Sequence, residues 1–230
     1  MPRILQTEQI CEYHDGDYDQ DIGLVTGGLW GWTIPCEADT CMWVNGVEVA
    51  WGRVSSNTPA RILVQDDPNN DGDPGDSVTL TCILVLTQQE DTGWLVHYSV
   101  PPTQVSGTYF VTVTCNHEEG EYPAGFDTSS TQETSWATWG CPDPCEPFCG
   151  YQDYGLIDDF GLPGNWLITV HSEVLECPED VNRNGVVDIM DIFHVLNHWG
   201  EGAGIFNVNC DDIVDIDDVF DILDAWGLCP

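Results

Sequence analysis

Near the C-terminus, the twelve residues DVNRNGVVDIMD carry side-chain oxygens at positions 1, 3, 5, 9 and 12, namely Asp180, Asn182, Asn184, Asp188 and Asp191. Gly185 stands where a sharp turn is needed, and the backbone carbonyl of Val186 is available at position 7. Calcium suits such a set, because it is a hard cation that takes six to eight oxygens at flexible geometry. After a shift of 27 residues, NVNCDDIVDIDD repeats the spacing with Asn207, Asn209, Asp211, Asp215 and Asp218, and with Ile213 at position 7. This second copy departs twice: Asn207 replaces the first Asp, and Asp212 replaces the turn Gly. Asn still offers a carbonyl oxygen, and Asp tolerates left-handed backbone at a cost on the order of 1 kcal/mol. Each loop therefore keeps three carboxylates: Asp180, Asp188 and Asp191 in one, Asp211, Asp215 and Asp218 in the other. Two calcium ions are expected, the second held more weakly.

Both loops lie within a longer duplication. Val187 aligns with Val214, Phe193 with Phe220, Leu196 with Leu223 and Trp199 with Trp226. After position 12, Ile192, Phe193, Val195, Leu196 and Trp199 follow helical spacing, and Gly200 ends the helix. The oxygen spacing is that of an EF-hand-type loop. With Asp at position 12, one helix per loop and WG closing each copy, residues 178–227 resemble the type I dockerin domain. That resemblance implies a module folded by calcium whose helical face docks onto a cohesin, itself a β-sandwich. It also implies that positions 10 and 11 help choose the partner. Here these are Ile189 with Met190 and Ile216 with Asp217, not the small hydroxyl-bearing pair common in cellulosome dockerins. Cys177 and Cys229 flank the helix pair, whose ends lie close together, so a clasp between them is expected, worth about 4 kcal/mol in the chain-entropy model.

Upstream the pattern is all-β. Short Val/Ile/Thr/aromatic runs at 42–54, 61–65, 77–86, 93–100, 107–115 and 165–171 read as strands, the first split by an Asn45-Gly46 hairpin turn. No helical pattern separates them, which favours a sandwich over βαβ units. GDPGDSVTLT, VSGTYFVTVT, YPAGFDT and NWLITV give this region a resemblance to β-sandwich modules of secreted bacterial proteins, implying a non-catalytic, jelly-roll-like module. The expected organisation is mainly β: an N-terminal arm at 1–20, a jelly-roll-like β-sandwich at 21–176 and a small α-helical dockerin-like calcium-binding domain at 177–230. DDPNNDGDPGD joins two of the strands. It reads either as a third cation site near Asp67, Asn69, Asp71 and Asp73 or as a plain acidic hairpin loop, since position 12 is Val78. HDGDYDQD, further upstream, reads as part of a solvated arm.

The 230 residues hold 40 acidic residues and four basic ones, a formal net charge of -36, and no lysine. Nucleic acid and anionic membrane surfaces attract basic patches, so neither is an expected partner. Schiff-base chemistry and Lys–Asn isopeptide crosslinks are excluded with lysine itself. No segment approaches the length of a membrane span. MPRILQTEQI has no apolar run of seven, and no signal peptide is read there. Eleven cysteines point to an oxidising, extracellular or cell-surface location, and their odd number leaves one over. Cys210 is the candidate for the odd thiol, with Cys11 competing. Cys36 and Cys41 could close a small loop, and Cys82 and Cys115 fall in strands that could be neighbours.

No GxSxG, HExxH, P-loop or GxGxxG motif occurs, and no nucleophile or base stands out, so no enzymatic activity is expected. The leading expectation is a self-associating structural protein of extracellular fibres or a surface layer, its helix pair docking onto the β-sandwich of another copy. The N-terminal arm adds a second route by pairing with a neighbour's sheet edge. The alternative is a polysaccharide-binding module docked to a separate cohesin-bearing scaffold, with Trp30, Trp32, Trp136 and Trp139 as a stacking platform, unless these serve the core.

Overall fold

A computed structural model describes residues 6–88, 93–129, 132–149, 153–175, 177–202, 204–211 and 213–229. Strands β1 (Gln6–Cys11), β2 (Gln20–Ile22) and β3 (Gly28–Arg53) come first. Next are β4 (Pro59–Asp66), β5 (Val78–Leu86), β6 (Leu95–His117) and β7 (Tyr122–Asp127). β8 (Trp136–Trp139), β9 (Asp153–Leu156), β10 (Asn165–Trp166) and β11 (Ile168–Leu175) complete the large sheet. The C-terminal unit holds β12 (Val186–Val187), helix α1 (Ile189–Asn197), helix α2 (Ile216–Asp224) and β13 (Gly227–Leu228). The protein is mainly β, with two short helices.

One antiparallel sheet runs β1-β11-β3-β6-β4-β5, with the remaining strands attached beside this path. β3 pairs along most of its 26 residues with β6. On its other edge it meets β8 at Trp30–Thr33, β11 at Trp43–Val49, and β7 at Trp51 and Arg53. A strand that takes three partners in turn along one edge while twisting cannot stay flat, so the sheet curls around its own core. Bulges interrupt the β3–β6 ladder at Ala38/Met42 and Val44/Gly46 and add to the bend.

The second bulge corrects the reading of Asn45-Gly46 as a turn, for β3 continues straight through it. Opposite Asn45, residues 100–102 of β6 loop out, because Pro101 and Pro102 have no N–H to give the ladder. The same device joins the two strands expected at 93–100 and 107–115 into β6. Inside the curl, Trp32 meets Trp51 edge-on at 5.8 Å and Trp166 meets Phe126 at 4.9 Å. Trp30 and Trp32 are only 4% and 0% exposed, and Trp139 stacks on Trp30. Trp30 and Trp32 thus serve the core, the reading set against a stacking platform.

The chain does not start as a free arm within the described residues. β1 pairs with β11 of the same chain in register from Gln6↔Leu175 to Cys11↔Val170. HDGDYDQD is not simply solvated either: Asp127, fully buried, accepts from the Asp15 N–H, and Asp19 accepts from Thr128.

Five disulfides fit an oxidising compartment, and no described helix is long and apolar enough to cross a membrane. Cys177 pairs with Cys229, the clasp expected around the helix pair. The other pairs are Cys11–Cys36, Cys41–Cys210, Cys82–Cys145 and Cys141–Cys149. The free thiol is thus Cys115, buried in β6, and not Cys210 or Cys11. Cys82 and Cys115 do not meet because β4 lies between their strands.

In the C-terminal unit, each loop borrows its pairing from the other copy. Val187 pairs with Gly227, while the Gly200 N–H donates to the Val214 carbonyl at 2.8 Å. The WG glycine that ends each helix thus secures the opposite loop, at φ +81° for Gly200 and +134° for Gly227. Val187, Val195, Val214 and Ile222 close a small core between the copies.

Candidate metal centres

In the first loop, short-range hydrogen bonds turn the oxygens inward. Asp180 accepts from the Asn184 N–H at 3.0 Å and, through its other oxygen, from Gly185 at 2.6 Å. Asn182 and Asn184 each accept from the N–H two residues on. Asp191 accepts from Asn182 at 3.1 Å and from Asp188 at 2.9 Å, while Asp188 caps α1 through the Met190 N–H. Val186, at position 7, lies in β12 against Leu228. Asp180 and Asp191 are 2% and 0% exposed. Buried carboxylates are costly unless a positive charge compensates them. Among the described residues the one arginine ion pair is Arg53 with Asp21, far along the chain, so a cation is the compensation that fits.

The second loop has the same wiring over its described residues. Asn207 accepts from the Asp211 N–H at 3.2 Å, as does Asn209 at 3.0 Å, and Asp211 accepts from Ile213. Asp218 accepts from Val208 at 2.6 Å and from Asp215 at 2.7 Å, and Asp215 caps α2 through Asp217. Asp212, the expected substitute for the turn glycine, lies outside the described residues. Asp217, read as a partner-choosing position, lies within 4.8 Å of Asp211 and Asp215 by carboxylate oxygens and adds charge at the rim. This loop is also anchored to the large sheet. Gln104 of β6 donates to the Asn207 carbonyl at 2.6 Å and accepts from the Gly204 N–H, beside the Cys41–Cys210 disulfide.

The stretch between β4 and β5 proves to share this architecture. Asp67 accepts from the Gly72 N–H at 2.9 Å, as Asp180 does from Gly185. Asn69 accepts from Asp71, and Asp71 from Asp73. Position 4 is left-handed in all three loops, with φ +57° at Arg183, +59° at Cys210 and +54° at Asn70. One expected ligand changes. Asp73 turns away to cap the short 3-10 helix Pro74–Asp76 through Gly75, and that helix brings Asp76 back towards the site. Asp67, Asp71 and Asp76 offer oxygens within 4.8 Å of one another. Asp67 is 1% exposed, and its Oδ1 is buried without a hydrogen bond. A buried carboxylate oxygen left unsatisfied is costly, and an ion at this point would satisfy it. The D-x-N-x-D-G signature of 67–72 carried this signal. The absent acid at position 12 hid it, because Asp76 at position 10 is the acid brought near Asp67 and Asp71.

His117 is held as a neutral ring, its Nε2 accepting from the Leu24 N–H at 3.2 Å, and burial keeps its pKa below the ordinary value. No family model, curated protein or solved structure matches this chain.

Proposed function

We propose that this chain is a secreted, calcium-stabilised, non-enzymatic assembly protein. Its curled sheet acts as a jelly-roll-like sandwich and its C-terminal unit as a dockerin-like plug. Calcium in the loops fixes α1 and α2 relative to each other, and their outer faces bind the sheet surface of a second copy. Contacts of this heterologous kind propagate into fibres or a surface layer unless a ring closes.

The observation that carries this reading is the outer face of the helix pair. Ile189 and Ile216, Phe193 and Phe220, Leu196 and Leu223, and Trp199 and Trp226 are all between 46% and 53% exposed. Both copies of the duplication thus present the same four large apolar side chains to solvent. Soluble monomers rarely keep so much contiguous apolar surface uncovered, which marks a binding face. β5, an edge strand of the sheet, offers an apolar counterpart in Leu84 and Leu86, exposed on one side. A net charge of -36 opposes association between like chains. Divalent ions in the loops and salt in the medium both lessen that repulsion.

Electron microscopy and light scattering test this. Polymers should form in calcium and disperse on chelation. The double variant Phe193→Asp/Phe220→Asp should stay monomeric while binding the same number of calcium ions. Polymers that survive full calcium depletion would refute the role of the ion, and assembly by the double variant would refute the role of the helical face.

A further inference from the structure

We propose a second kind of metal site, for a zinc-class divalent ion, on the outer face of the large sheet. Its ligands are His97 of β6, His171 of β11 and Glu48 of β3, whose donor atoms lie within 4.8 Å of one another. Glu48 sits directly opposite His97 in the β3–β6 ladder, and His171 sits opposite Gly46 in the β11–β3 ladder. The register of three adjacent strands therefore sets the cluster.

Three features separate it from an ordinary surface ion pair. Glu8 of β1 holds His171 Nδ1 at 2.8 Å, which commits that nitrogen as donor and leaves Nε2 to face the cluster. This is the carboxylate–histidine arrangement that orients imidazole ligands of metals. His171 Nε2 itself is buried and makes no hydrogen bond, its nearest acceptor being Glu48 Oε1 at 3.5 Å. The spacing also fits: tetrahedral bonds of about 2.0–2.1 Å put neighbouring ligand atoms about 3.4 Å apart. Glu48 Oε1 lies 3.5 Å from His171 Nε2 and 3.7 Å from His97 Nδ1.

Gly46 adds to these features. A Cβ there would come within 2.6 Å of His97 Cε1 and 3.5 Å of His171 Cβ. The glycine of the Asn45-Gly46 pair thus serves no turn; it leaves room for the His97 ring over the strand. Imidazole nitrogens with one carboxylate favour zinc-like ions over calcium, so this site and the acidic loops select different metals. The half-exposed side of His97 leaves the fourth position to water.

Calorimetric titration of the full chain with Zn2+ in saturating calcium tests the site, because the acidic loops are then occupied. One Zn2+ per chain is expected. His97→Ala, at a half-exposed position where the fold is not at stake, should weaken binding at least tenfold. Gly46→Ala, which keeps every ligand and displaces only the ring, should weaken it too. Co2+ gives an independent readout, since its tetrahedral visible bands should appear in the wild type and vanish in His97→Ala. Failure of the calcium-saturated protein to bind stoichiometric Zn2+, or equal affinity in His97→Ala, overturns the proposal and leaves a plain histidine–carboxylate cluster.

Discussion

Asn207→Asp would restore to the second loop the carboxylate that the first has in Asp180. Asn207 is 2% exposed and accepts from the Asp211 N–H, and Asp180 accepts through both oxygens, from Asn184 and Gly185. The substitution should have opposite effects with and without cation. In chelator, a new charge is buried in a loop that already holds Asp211, Asp215 and Asp218. One like-charge neighbour at about 5 Å costs about 3 kcal/mol at an effective dielectric of about 20. For a chain of this length that is about 6–12 °C in melting temperature, at about 2–4 °C per kcal/mol. In calcium, the extra carboxylate becomes a ligand. A gain in affinity for the second ion of more than about 150-fold, over about 3 kcal/mol, would outweigh that cost and raise the melting temperature above wild type in saturating calcium. Differential scanning calorimetry in chelator and in calcium, together with calcium titration, reads both effects. Shifts of the same sign in the two conditions, or an unchanged second affinity, would show that position 1 of this loop does not touch a cation.

Asp67→Asn should lower the number of calcium ions bound per chain from three to two in equilibrium dialysis, leaving the helix pair's transition unchanged. A count that stays the same removes Asp67 from the third site. Burial pushes the Cys115 thiol up to about 12, so it should resist thiol reagents in the folded protein. One reactive thiol per chain should then appear on denaturation without reductant, and any other number contradicts the disulfide pattern. His117 is kept neutral by burial, so its folded pKa lies below that of the unfolded chain. The stability this contributes is complete above about pH 6.5 and is lost as pH falls towards the folded value, since the unfolded chain takes up the proton first. Urea midpoints between pH 7.5 and 5 should decline in wild type and decline less in His117→Gln.

Much of the geometry of the two duplicated loops was legible because it is local. The oxygens of Asp180 to Asp191 and of Asn207 to Asp218 each act within one twelve-residue loop, and the backbone between them is fixed by its own N–H groups. The capping boxes formed by Asp188 with Asp191 and by Asp215 with Asp218 are equally short-range. The third loop was only half readable. Its D-x-N-x-D-G start follows the same local rule, but Asp76 enters through a 3-10 turn whose direction the residue spacing does not reveal. Asn45-Gly46 misled for a related reason, since the same dipeptide serves a hairpin or a bulge and the prolines that decide between them lie on another strand.

By itself, then, the sequence determined the two capped loop-helix repeats with their Cys177–Cys229 clasp and the mainly β character of the rest. The tertiary structure alone decided that Cys41 and Gln104 tether the second loop to the sheet, that Cys115 is the odd thiol, and that Glu48, His97 and His171 meet. The division follows from chain separation. Contacts within a dozen residues are governed by backbone geometry that residue types announce, while contacts across strands depend on register, bulges and curl, which the whole sheet sets together.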